Sequence, residues 1–168
     1  MNYLEIDRAL VDITKAKIED CRGRLNLIPK ENVHEKKAVQ IELGMYRFCG
    51  NAGHMFHALG ERAQTIKVRL GFVTRYLPKY PKLKKVWEES DEEERLCFVA
   101  AIQGELFMRD QFIPQYRAQL AKAEEAGDAK GQFEMTVKLG AMKSMFAAYE
   151  AWRVENGIYP NRFEEVEG

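Results

Sequence analysis

Nowhere in this 168-residue chain do apolar residues run uninterrupted to anything near the roughly 20 that a membrane helix needs, so no segment is expected to span a bilayer. Period-two alternation is almost as scarce, which argues against a strand-rich fold. Cysteine is sparse too. Cys21, Cys49 and Cys97 are odd in number and far apart, which excludes a disulfide framework and suits free thiols in a reducing compartment. Glu5 and Asp7 stand where a secretory leader would be basic, so no leader is expected and a cytoplasmic location follows, the host cytoplasm if the chain is viral. Signatures of chemistry are missing as well: there is no Gly-x-Ser-x-Gly, no P-loop, no His-Glu-x-x-His and no dinucleotide-binding glycine pattern. The chain is therefore not expected to be an enzyme, and neither a cofactor nor a metal is expected.

What the chain does have is helical periodicity. With 46% hydrophobic and 31% charged residues it can build a core and is not compositionally disordered. Apolar residues recur at three and four, which predicts an all-α fold of many helices. A first helix is expected from Asn2 to about Cys21, broken by Gly23, Asn26 and Pro29. A second should start near Val33 and stop at Gly50-Asn51, with short helices over Ala52–Leu59 and Arg62–Tyr76 separated at Gly60. Pro78 and Pro81 end that stretch, and a brief Lys82–Glu89 helix follows. Ser90 with Glu93 reads as a capping box opening a helix through Leu106. A kink or restart is expected at Gln111–Pro114, then a hairpin of Pro114–Ala126 and Ala129–Glu155 turning at Gly127-Asp128. This gives four segments: an N-terminal helix and loop (1–30), a central region (31–89), a helical hairpin region (90–157) and an acidic, loose tail (158–168).

The zero net charge conceals a strong segregation. From Gly44 to Trp87 nine basic residues (Arg47, Arg62, Lys67, Arg69, Arg75, Lys79, Lys82, Lys84 and Lys85) face one acid, Glu61. Immediately afterwards, six of the seven residues from Glu88 to Glu94 are acidic. A basic surface of this kind draws phosphate by coulombic steering and counterion release. The competing reading is a pair of solvated faces laced by salt bridges. The acidic block suits a helix N-terminus, where carboxylates complement the dipole.

Inside the basic segment lies the run from Gly50 to Leu70, in which Gly50, Asn51, Leu59, Gly60, Thr65, Ile66, Arg69 and Leu70 stand at characteristic positions. This run resembles the helix-turn-helix of the factor-for-inversion-stimulation type. With the following Arg75–Leu83 and Trp87-Glu88-Glu89, it is similar to phage small terminase subunits. Met55 and Phe56 stand where that family has small residues, and Glu61 where an apolar one is usual. Physically, Gly60 would supply a positive φ for the turn, and Leu59, Ile66 and Leu70 would pin the second helix to the first. Phe56 would be buried between the two. Arg62, Gln64, Thr65, Lys67, Val68 and Arg69 would then meet a major groove, with Arg75, Lys79 and Lys82 beside them. The resemblance implies double-stranded DNA as ligand, a homo-oligomer, and a large terminase subunit as partner in packaging viral DNA.

Cys49, His54 and His57 could be read as metal ligands, but a closed zinc site wants four, and packing or phosphate contact suits the histidines better. In the last helix Met135, Leu139, Met142, Phe146 and Tyr149 form a seam that could be core or an oligomerisation surface, since methionine and aromatics are adaptable contact residues. The leading expectation is thus a DNA-binding homo-oligomer of small-terminase type. The alternatives are a transcriptional or nucleoid regulator, or a helical adaptor or inhibitor with no DNA role.

Overall fold

The computed structural model describes residues 1–162, and all of its regular structure is helical. Seven α-helices follow in order: α1 (Tyr3–Leu27), α2 (Val33–Leu59), α3 (Ala63–Tyr76), α4 (Pro81–Glu89), α5 (Glu92–Phe107), α6 (Ile113–Glu125) and α7 (Ala129–Glu155). A single 3-10 turn, Leu77–Lys79, precedes α4, and one π-helical turn, Met108–Phe112, joins α5 to α6.

Capping chemistry sets several of these ends. Asn2 and Glu5 exchange side-chain-to-backbone bonds in a capping box at α1. The box expected from Ser90 is shifted by one residue: Asp91 caps α5 with Glu94 reciprocating, while the Ser90 hydroxyl donates back to the Val86 carbonyl. Between α6 and α7 Gly127 takes φ +64, and the amides of Gly127 and Asp128 close on the carbonyls of Glu124 and Ala123. The Asp128 carboxylate then accepts from Gly131 N–H to start α7. The expected hairpin is therefore present at its expected turn. Pro114 has no N–H to offer the Asp110 carbonyl four residues back, and the chain widens into the π turn there.

α5 lies at the centre. Val99, Ala100, Ala101, Ile102 and Leu106 are all buried, because α1, α3 and α7 pack around this helix. From Val99 to Leu106 the helix is buried on nearly every side, with Gln103 and Glu105 among its apolar residues, and each fully buried Ile, Leu or Val contributes about 1.5–3 kcal/mol. α1 and α2 form an antiparallel pair, and α7 closes over α2, α5 and α6. One continuous core runs from Ile6 to Tyr159. The segment boundaries near residues 30 and 90 are thus loops within one packed body and separate no cores.

Two helix boundaries and the start of the tail differ from expectation. α1 continues past Cys21 and Gly23 to Leu27, and α2 runs unbroken through Gly50-Asn51. Gly53 serves close packing, since a Cβ there would meet Val11 Cγ2 at 2.9 Å, whereas one at Gly50 would make only ordinary contact with Thr14 Cγ2 at 3.4 Å. At the C-terminal end, Ile158 and Tyr159 pack on the core, and the Arg153 guanidinium donates to the Tyr159 carbonyl. Residues 158 and 159 are therefore not loose, and the last six residues of the expected tail lie outside the described ones.

The seam of α7 is also spoken for. Met142 and Tyr149 are buried, and Leu139 and Phe146 lean on the same core. The Tyr149 hydroxyl and Thr14 Oγ1 lie 2.9 Å apart. Of the five residues expected to form an oligomerisation surface, only half-buried Met135 stands apart from this core. The apolar period of α7 packs inward, against α1, α2 and α5.

Candidate nucleic-acid interface

α3 is the element on which the DNA expectation depends, and its two faces differ sharply. Arg69, Phe72 and Val73 are buried toward α5, with Phe72 stacked on Phe107 at a centroid distance of 4.3 Å. Gln64, Lys67, Val68, Gly71 and Arg75 are exposed. These recur at three and four, so they form one outward stripe along the helix. Arg62 is exposed at the N-cap, Thr65 is half-buried, and Lys82, Lys84 and Lys85 are exposed on α4, whose Leu83 and Trp87 anchor it to the core. No acid occurs between Arg62 and Trp87. Lys79, although exposed, is ion-paired with Asp110, whose other oxygen accepts from the Tyr80 hydroxyl at 2.6 Å.

Arg69 is not part of that surface. Only 3% exposed, it donates from Nη1 and Nη2 to the two Asp7 oxygens at 2.8 and 2.7 Å, and from Nε to Gln103 Oε1 at 3.1 Å. Both carboxylate oxygens and the planar fork are used, the geometry in which Arg pairs best. A groove-contacting role for Arg69 is excluded by this burial. Its position instead ties α3 to α1 and α5.

The turn between α2 and α3 falls at Gly60-Glu61-Arg62, as the motif requires, but for a different physical reason. Gly60 has φ −59, so no left-handed conformation is needed. What demands glycine is contact: a Cβ would lie 2.5 Å from Leu4 Cδ2 and 2.9 Å from the Phe56 carbonyl oxygen. The start of α1 presses on this turn, and the Tyr3 hydroxyl donates to the Gly60 carbonyl at 3.2 Å. Gly53 and Gly60 thus share one cause, the track of α1 along α2. α3 then leans on α5 rather than folding back along α2. Phe56 is half-buried at the junction, with the Arg69 guanidinium 5.0 Å from its ring centre.

Between α1, α2 and α5, with Arg69 the one contribution of α3, lies a cavity of about 180 Å³ lined also by Leu10, Val11, Ala52 and Ala100. Phe48, Phe56, Phe107, Phe112 and Tyr149 supply rings to its wall, and Asp7, Arg69 and Gln103 supply its polar groups. Cys49 also lines it, and burial pushes this thiol up to about 12. Of these residues the sequence marks Arg69, Phe56, Cys49 and Tyr149 as candidates, each for another role, and gives no sign that they meet. Asp7 carried a signal, being a carboxylate among the inward residues Tyr3, Ile6 and Leu10 of an amphipathic helix. His54 and His57 are exposed, and no group of three metal-ligating side chains occurs among the described residues. No described helix is long and apolar enough to cross a membrane.

No protein-family model, curated protein or solved structure matches this chain.

Proposed function

We propose that this protein binds double-stranded DNA, laying the outward face of α3 in the major groove while Arg62, Lys82 and Lys85 approach flanking phosphates. The observation that carries the reading is the acid-free stripe of Gln64, Lys67, Val68, Gly71 and Arg75, exposed along one helix held rigidly from behind by Arg69, Phe72 and Val73. Arg and Gln suit guanine and adenine edges, Val68 suits a thymine methyl, and the bare backbone at Gly71 lets a groove wall come close.

The more specific role suggested by the motif's resemblance is selection of viral DNA by a small terminase subunit, acting as a homo-oligomer with a large terminase partner. It belongs to the same proposal and requires an oligomer contact other than the inner seam of α7. A transcriptional or nucleoid regulator would use the same α3 face. The adaptor reading has one observation in its favour: Phe48 and Met55, seven residues apart on α2, are both about half exposed.

The test is fluorescence anisotropy with a labelled duplex at low salt. Lys67→Glu with Arg75→Glu should weaken binding by about a hundredfold or more and leave the far-ultraviolet dichroism unchanged. Wild-type protein that ignores DNA, or a double variant that binds as well as wild type, leaves the adaptor reading standing. Light scattering reads the subunit number alongside.

A further inference from the structure

The half-open cavity between α1, α2 and α5 is the least ordinary feature of this core. Protein interiors are packed nearly as densely as organic crystals and hold few voids larger than a water molecule. An apolar cavity of about 150 Å³ is enough to take up benzene. This one measures about 180 Å³, opens beside the exposed ring of Phe48, and is walled chiefly by aromatic groups. Phe48 meets Phe112 edge-on at 5.7 Å, and Phe107 lies 6.2 Å from Phe112, so ring faces and edges are both available to a guest. The π turn Met108–Phe112 contributes Met108 and Phe112, and such turns often accompany functional sites.

The polar groups decide what kind of guest fits. Asp7 and Arg69 neutralise each other, so the wall carries no net charge and a charged ligand would enter without a counterion. Gln103, itself 5% exposed, engages Arg69 through its carbonyl oxygen, and its amide nitrogen has no partner among the described residues. A donor that only solvent in an aromatic cavity can satisfy is a recognition element for an acceptor. We infer that this cavity is a binding site for a small neutral aromatic molecule, one ring bearing a single hydrogen-bond acceptor. The ring lies among Phe56, Phe107, Phe112 and Tyr149, and the acceptor takes the Gln103 N–H. The site is independent of DNA binding, although Arg69 and Phe56 make the guest a neighbour of the α2–α3 junction.

Acetophenone and toluene serve as neutral probes with and without an acceptor, and benzoate and benzylammonium as charged ones. In a methyl-resolved NMR titration of the full chain, acetophenone should give saturable shifts confined to the lining methyls of Leu10, Val11, Ala52, Ala100 and Met108. Toluene should shift the same methyls about fivefold more weakly, the worth of one hydrogen bond. The two ions should bind about a hundredfold more weakly or not at all. Ala52→Phe, which places a ring in the cavity, should abolish the shifts. If that variant does not fold, the wild-type ranking alone decides. Absence of saturable shifts up to the solubility limit, shifts scattered over the surface, or preference for either ion overturns the inference.

Discussion

Replacing Asp7 by alanine removes the only carboxylate that the buried Arg69 guanidinium touches. Asp7 and Arg69 are 5% and 3% exposed, and the fork makes two bonds of 2.8 and 2.7 Å to the carboxylate. Breaking such a pair from one side leaves a charge in the core, at a cost of about 3–5 kcal/mol. Gln103 Oε1 would remain as its sole bonded partner among these three groups, and it compensates little because it carries no charge. For a domain of this size, with a urea dependence of about 2–3 kcal/mol per molar, the unfolding midpoint should fall by about 1–2 M. The second arm of the cycle is Asp7→Leu with Arg69→Met, which replaces both ions by apolar groups of similar bulk. That double variant should lie within about 1 kcal/mol of wild type, because the pair's attraction is largely offset by the cost of desolvating it. Urea melts at neutral pH, followed by far-ultraviolet dichroism, measure both. A single variant less than about 1 kcal/mol below wild type would mean the pair is solvated, and the argument that Arg69 is structural would fail.

Glycine substitutions should separate in sign. Gly60→Ala drives a methyl to 2.5 Å from Leu4 and should lower the thermal midpoint, whereas Gly44→Ala and Gly140→Ala, in helix interiors with nothing within 4 Å, should each stabilise by about 0.5–1 kcal/mol. Cys49 should react with a neutral disulfide such as 4,4′-dithiodipyridine on the order of a hundredfold more slowly than an ordinary thiol at pH 8, since a value near 12 depletes the thiolate more than it raises its nucleophilicity. The same shift makes Cys49 favour the fold below its ordinary value near 9, a contribution lost as pH rises toward 12. Stability should therefore decline on the alkaline side less steeply in Cys49→Ala.

The helices were legible because their signals are local. The α6–α7 hairpin, its turn at Gly127-Asp128 and the span of α3 follow from periodicity and capping residues close together in the chain. What long-range packing decides was not legible. Arg69 reads as one more cation of a basic segment until Asp7, 62 positions earlier, is brought against it. Met142 and Tyr149 fit a subunit seam or a core equally well, and Thr14 of α1, 135 positions from Tyr149, settles the matter for the core. Glycine is ambiguous in the same way: Gly50 and Gly60 read as a break and a left-handed turn, yet α2 runs straight through Gly50, and Gly60 is a helical-region residue kept small by α1. The cavity left no local pattern at all, since its rings come from α2, α5, the π turn and α7.

The salt dependence of DNA affinity tests the central claim most directly. If the α3 stripe and its flanking lysines neutralise about four to six phosphates, log K should fall linearly with log salt concentration with a slope of about −4 to −5. Lys67→Gln should flatten that slope by about one unit, and Arg69→Met, for protein that remains folded, should leave it unchanged. A slope near zero, or one that Lys67→Gln leaves intact, would contradict the assignment of this face to DNA.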